Sequence, residues 1–192
     1  MIAKLKKALA ERTKLVITDS RLKPSAVLLP IFKKDGKCHI LFTRRTDHLV
    51  NHKGQISFPG GGRHPEDKSL LETALRESWE EIGVRQSDVE IIGELDDAAT
   101  TTSLFCITPF VGLIPYPYDF KRDTFEVEEI FDVALEDLMK AVIKEETVEF
   151  GGVQIKVLSY ESDGHVIWGA TAWILSEFLS ILSKVSGARC NS

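Results

Sequence analysis

The chain has 192 residues, long enough to bury a real core as one domain. Hydrophobic residues make up 43% and charged residues 28%, which is ordinary soluble globular composition. A net charge of −5 argues against a nucleic-acid binder working through a broad basic face, and leaves open a small anionic ligand held by a few local cations.

The opening "MIAKLKKALAERTKL" places Ile2, Leu5 and Leu9 at helical spacing and predicts a surface helix over about 1–14. A transit peptide would be richer in Arg and Ser and would lack Glu11, so an unprocessed cytoplasmic protein is expected. "AVLLPIF" and "CHILFTRR" read as strands joined by the turn residues Asp35 and Gly36, and "QISF" as a short strand ending at Pro59 and three glycines. Ser69 with Glu72 forms a capping box that starts a helix, and Gly83 stops it. "VEIIGEL" and "LFCITPFVGLI" are further strands, separated by the polar run "DDAATTTS". "EIFDVAL" leads from a strand into a short helix, "EDLMKAVI". "TVEF" and "VQIKVLSY" suggest a hairpin around Gly151 and Gly152, and "GATAWILSEFLSIL" an apolar helix whose Trp173, with Trp168 before it, reads as core. The apolar runs are strand-length, so no transmembrane span is expected. Cys38, Cys106 and Cys190 are odd in number and widely spaced, which suits free thiols in a reducing compartment.

The helix after Ser69 contains a contradiction. Leu71, Ala74, Leu75, Ser78 and Ile82 fall on one side as a buried stripe, while Glu77, Glu80 and Glu81 share a neighbouring arc. These acids crowd the C-terminal end, where the macrodipole is already negative, and no lysine follows any of them at i+4. A solvated acidic face is the ordinary account of such a cluster. A divalent cation is the other, because it turns repelling carboxylates into hard oxygen ligands; Mg²⁺ is suited to a few carboxylates, waters and substrate phosphates. Local rules broken without visible compensation are expected at functional sites.

"GRHPEDKSLLETALRESWEEIGV", preceded by "FPGG", resembles the Nudix box, over about 61–84. Counted from Gly61, the early acidic position of the box is Asp67, with one extra loop residue; counted from Gly62 it is Lys68. Ser78 occupies a usually aliphatic position. The resemblance implies an α/β (α+β) Nudix fold, a mixed β-sheet between α-helices, over 1–192 as one domain. It also implies a hydrolase of nucleoside diphosphate derivatives that uses Mg²⁺ or Mn²⁺. Glu77 and Glu81 would be the main metal ligands, with Glu80 a further ligand or a base. Arg76 would hold a glutamate in position, and Gly60 and Gly61 would let the backbone approach helix and phosphates.

A second stretch, "LFTRRTDHLVNHKGQISFPGG", is similar to the signature of the coenzyme A pyrophosphatase branch. Leu41, Thr43, Arg45, Gly54 and Phe58 to Gly61 match it, whereas Thr46 replaces Ser or Ala and Val50 replaces Arg. "GELDDAATTTSLFCITPFVGLI" and "VIWGATAWIL" look like the same branch. The reaction implied is cleavage of coenzyme A or its derivatives to 3′,5′-ADP and 4′-phosphopantetheine, with ADP-ribose or NADH as alternative substrates. A non-catalytic Nudix-like binding domain would be expected to lose the metal glutamates. Arg45 and Arg44 are the candidate phosphate-binding cations, and Glu126 a late catalytic acid or a solvated charge. His48 and His52 read as loop residues, and Thr100 to Thr102 as cleft lining or plain loop. The partners expected are a small nucleotide, no nucleic acid and no membrane, with a homodimer left open.

Overall fold

A computed structural model describes residues 1–48, 53–101, 103–150, 152–162 and 164–187. Val50, His52, Thr102 and Cys190 lie outside the described residues.

Helix α1 (Ile2–Glu11) buries Leu5 and Leu9 and exposes Lys6 and Lys7 between them. It is shorter than the expected 1–14. At Arg12 the chain turns extended, and the guanidinium reaches Asp96 and Glu177, which fixes the exit. β1 (Lys23–Lys34) and β2 (Lys37–Arg45) form a hairpin over Asp35 and Gly36, whose φ values of 49° and 80° suit the type of turn that follows strand twist. β3 (Ile56–Ser57) and β4 (Gly60–Gly62) follow, then α2 (Leu70–Ile82). β5 (Glu90–Glu94), β6 (Ala98–Ala99), β7 (Phe105–Leu113) and β8 (Val127–Ala134) complete a mixed sheet of eight strands among the described residues. Its spine runs β3-β2-β1-β7-β5, with β4 on β1, β6 on β7 and β8 on β2.

β1 and β7 are parallel over nine partner pairs, from Lys23↔Phe105 to Ile31↔Leu113, and the other pairings are antiparallel. A central strand covered on both faces should read as a continuous apolar run, and β1 does. Its Ala26 and Leu28 pack with Ala74 of α2, while Leu29 and Ile31 face the cluster built from α1 and the last helix. The sheet therefore lies between helices, as the Nudix fold requires.

α3 is one turn, Leu135–Leu138, and not the eight-residue helix expected. Ile143 instead begins β9 (Ile143–Phe150), which forms an antiparallel three-stranded sheet with β10 (Val153–Ser162) and β11 (His165–Trp168). Cross-strand pairing wins over local helix propensity there. β9 and β10 pair up to Val153 opposite Phe150, with Gly152 left-handed at φ 80° before Val153; Gly151 lies outside the described residues. α4 (Gly169–Ser186) buries Ala172, Leu175, Phe178, Leu179 and Leu182. Trp168 and Trp173 are not core: each is nearly half exposed. Trp173 falls on the helix side it shares with Ser180 and Lys184, both also exposed. Among the described residues no helix is long and apolar enough to cross a membrane.

Candidate active site

The site is assembled around α2. At its N-terminus the Ser69 hydroxyl oxygen accepts from the Glu72 N–H at 3.1 Å, and the Glu72 carboxylate accepts from the Lys68 N–H at 2.6 Å. The capping box is thus present, with its return arm one residue further out. At the other end Gly83 is left-handed at φ 72°, and its N–H reaches the carbonyls of Ser78 and Trp79. Two more carbonyls at that end, of Glu81 and Ile82, accept from the N–H groups of Asp123 and Lys121 at 3.0 Å each. These backbone donors offset the negative end of the dipole where the glutamates crowd.

The side-chain compensation is Arg76. Its Nη1 donates to Glu77 and Glu80 at 2.9 Å each, which relieves the repulsion between them. Its Nε and Nη2 donate to the two oxygens of Asp67, both at 3.0 Å, a bidentate pair nine residues back in the chain. Asp67 is 4% exposed and also accepts from the His64 N–H and the Thr73 hydroxyl at 2.9 Å. The Arg76 guanidinium, with these donors, holds the Asp67 carboxyl well below the usual carboxylate range, and Asp67 in turn raises Arg76. Of the two positions left open for the early acid, Asp67 is the buried, bonded one, and Lys68 is exposed. The sequence carried the signal in the spacing of Asp67 from Arg76, but not its meaning as a clamp.

Glu81 is 3% exposed, and its Oε2 accepts from the Gly60 N–H at 3.1 Å. Burial pushes its carboxyl up to about 8, against the opposing pull of that N–H and of Arg45. Glu77 is raised as well, again chiefly by burial. Glu80 is different: its side chain is 52% exposed and lies on the outer side, held by Arg76. Arg45 sits between two acids, with Nη1 3.7 Å from Glu81 and Nη2 3.9 Å from Glu126. Both distances are too long for hydrogen bonds, and the buried Arg45 Nε has no hydrogen-bond partner among the described residues.

Arg44 does not join this group. Adjacent strand residues point to opposite faces, and here the register between β2 and β8 also shifts between Arg44 and Arg45. Arg44 donates to Glu129 at 3.1 Å, and the same carboxylate lies 3.4 Å from His165 Nε2. Thr100 bonds within its own turn, to the hydroxyl of Ser103 and the N–H of Phe105.

Among the described residues, no three His, Cys, Asp or Glu side chains are gathered to hold a metal as they stand. The donor chemistry nevertheless fits a hard divalent cation. Glu77, partly buried, and Glu81, buried, are carboxylates one helical turn apart, and Glu126 raises the charge cost of both. Gly60 and Gly61 bring the backbone against them. A Cβ on Gly61 would stand 2.5 Å from the Glu77 carboxyl carbon. Gly61 has no positive φ, so the demand is for space and not for conformation. Gly61→Ala is therefore expected to keep the melting temperature close to wild type and lower kcat roughly a hundredfold, because it displaces Glu77 by a fraction of its own length. A variant with kcat unchanged would mean that the carboxylate has room to move without consequence.

Residues 22–151 match the family model described as the NUDIX domain. A protein called "Uncharacterized Nudix hydrolase NudL" from Yersinia enterocolitica is 39% identical over 152 residues, covering 79% of this chain and 77% of its own. A protein of the same name from Photorhabdus laumondii is also 39% identical, over 80% of this chain and 81% of its own. The crystal structure of a MutT/nudix family protein from Enterococcus faecalis covers 97% of this chain and 70% of its own, with a TM-score of 0.53 and 11% identity, a likeness of fold. A mixed sheet between helices, with an acidic helix end packed on a glycine turn, is the architecture of this class. The chain belongs to the Nudix hydrolase family. It is a hydrolase of pyrophosphate bonds in nucleoside diphosphate derivatives, a family that generally uses divalent metal ions such as Mg²⁺.

Proposed function

We propose that this enzyme hydrolyses the pyrophosphate bond of coenzyme A or its acyl derivatives, with Mg²⁺ or Mn²⁺, giving 3′,5′-ADP and the 4′-phosphopantetheine half. Support for the substrate comes from the stretch "LFTRR" to "FPGG", similar to the coenzyme A pyrophosphatase branch. The observation that carries the reading is Arg45, a part-buried cation whose Nη1 and Nη2 lie 3.7 and 3.9 Å from Glu81 and Glu126, too far for hydrogen bonds. A phosphate oxygen placed between those acids and the guanidinium would give the two Nη donors a charge-assisted acceptor.

In this reading Glu77 and Glu81 hold the metal, with Glu126 beside them. Bound there, the cation would neutralise phosphate charge and polarise a phosphoryl oxygen. Arg76 keeps Glu77 and Glu80 oriented through its hold on Asp67. Glu80, whose second oxygen is not the one bonded to Arg76, takes the proton of the attacking water. Gly60 and Gly61 let phosphates approach the backbone closely. Arg44, paired with Glu129, has no part in it.

Incubation with coenzyme A, an acyl-coenzyme A, ADP-ribose and NADH in Mg²⁺, with products identified by mass, tests the substrate. Turnover of coenzyme A to the two halves is expected. Faster cleavage of ADP-ribose or NADH would move the assignment to those substrates, and turnover of none would point to a binding domain.

Arg45 also makes a specificity prediction. A planar guanidinium suits the 3′-phosphate that distinguishes coenzyme A from 3′-dephospho-coenzyme A. The wild-type enzyme is expected to prefer coenzyme A, and Arg45→Ala to narrow the gap in kcat/KM by roughly ten- to a hundredfold. An equal loss on both substrates would put Arg45 on the pyrophosphate instead.

A further inference from the structure

Phe125 is 65% exposed, yet the turn that carries it is firmly built. Its N–H donates to the Asp123 carboxylate at 2.8 Å, and the Val127 N–H donates to the Asp123 carbonyl at 2.8 Å, closing residues 123–127 into a turn. Thr46, buried at the end of β2 next to Arg45, ties that turn down. Its hydroxyl donates to the Phe125 carbonyl at 2.8 Å and its N–H to the Glu126 carbonyl at 3.0 Å. The His48 ring lies 5.0 Å from the Phe125 ring, inclined by 56°. One fixed turn therefore presents a carboxylate to Arg45 and, from the preceding residue, a phenyl ring edged by an imidazole.

A single exposed apolar side chain is ordinary on a protein surface. This one differs in being anchored by the same bonds that set the Glu126 carboxylate 3.9 Å from the Arg45 guanidinium. Core packing does not account for it, because the ring is mostly in water. A rigid aromatic face next to a cationic phosphate site has the chemistry that takes up a nucleobase, since every base offers a π face for stacking.

We propose that Phe125, with His48 at its edge, is the stacking platform for the base of the nucleotide substrate. The proposal rests on the reading that Glu77, Glu81 and Glu126 surround the substrate's pyrophosphate. Stacking favours the larger purine face, so a purine is the fitting base.

Calorimetric titration of the whole protein in Mg²⁺ tests it with two non-hydrolysable probes. Adenosine 5′-(α,β-methylene)diphosphate carries base and diphosphate, and methylenediphosphonate carries only the second. Phe125→Ala is expected to weaken the adenosine compound roughly tenfold or more and to leave methylenediphosphonate unchanged. Phe125→Trp is expected to restore the loss. An equal loss for both probes would overturn the proposal, because the ring would then be acting on Glu126. So would an unchanged affinity for the adenosine compound, or wild-type protein binding the two probes alike. Coenzyme A turnover is measured in parallel. If coenzyme A stays intact while the base-dependent loss appears, the substrate reading fails and the platform stands.

Discussion

Glu77→Gln and Glu81→Gln are each expected to lower kcat by roughly 10²–10³-fold while the protein stays folded, the size of effect that follows from losing a metal ligand and its charge stabilisation. Neither residue is a packing group. Glu77 bonds Arg76 and abuts Gly61, and Glu81 bonds the Gly60 N–H, a contact the amide oxygen of glutamine can keep. Burial opposes the charged form of Glu81, whose carboxyl is pushed up to about 8, so removing that charge should help the metal-free fold. Glu81→Gln is accordingly expected to melt at a higher temperature than wild type in the presence of a chelator, and to lose the extra stabilisation that added Mg²⁺ gives wild type. Unfolded variants that retain activity per folded molecule would show both glutamates to be structural.

The largest stability effect is expected at Asp67. Its carboxylate accepts four hydrogen bonds from Arg76, His64 and Thr73 while almost fully buried. Asp67→Ala leaves a half-buried guanidinium without its bidentate partner, at a cost of about 3 kcal/mol, since Arg76 keeps Glu77, Glu80 and the Gly62 carbonyl. Urea unfolding at neutral pH should show a lower midpoint at an unchanged slope. The pH dependence has a definite sign. Arg76 depresses the folded-state carboxyl, so its contribution is complete above the unfolded value near 3.9 and is lost as pH falls through the lower folded one. The gap between wild type and Asp67→Ala should therefore be constant near neutrality and narrow only on strong acidification. Freed from Asp67, Arg76 can also reorient, so a loss of roughly 10- to 100-fold in kcat per folded molecule is expected in the same variant. A midpoint equal to wild type would mean that Asp67 contributes nothing to the fold.

Much of this site was legible in the chain because its determinants are local. Helical spacing put Glu77 and Glu81 one turn apart, the Ser69 and Glu72 pair marked the start of α2, and Gly83 its end. Apolar runs and turn residues gave β1, β2, β7 and the pairing of β9 with β10 for the same reason: backbone geometry repeats over a few residues, and side-chain pattern follows it.

What the tertiary structure alone decided is everything that depends on residues far apart in sequence. The Glu81 and Ile82 carbonyls are capped by N–H groups from Asp123 and Lys121, which no local rule connects to α2. Arg44 and Arg45 look equivalent as neighbours, yet the pairing of β2 with β8 and the register shift between them send one to Glu129 and the other to Glu81. Of the residues expected in the helix after β8, Met139 and Lys140 form a turn and Ile143 opens β9, where Tyr160 of β10 offers it a partner. Trp168 and Trp173, apolar by composition, stayed at the surface because α4 turns the faces carrying Leu175, Phe178 and Leu182 to the core. Hydrophobic pattern fixes which elements can form. Which of their faces meet, and which charges become neighbours, is set by long-range contacts whose energies appear only once the chain has closed.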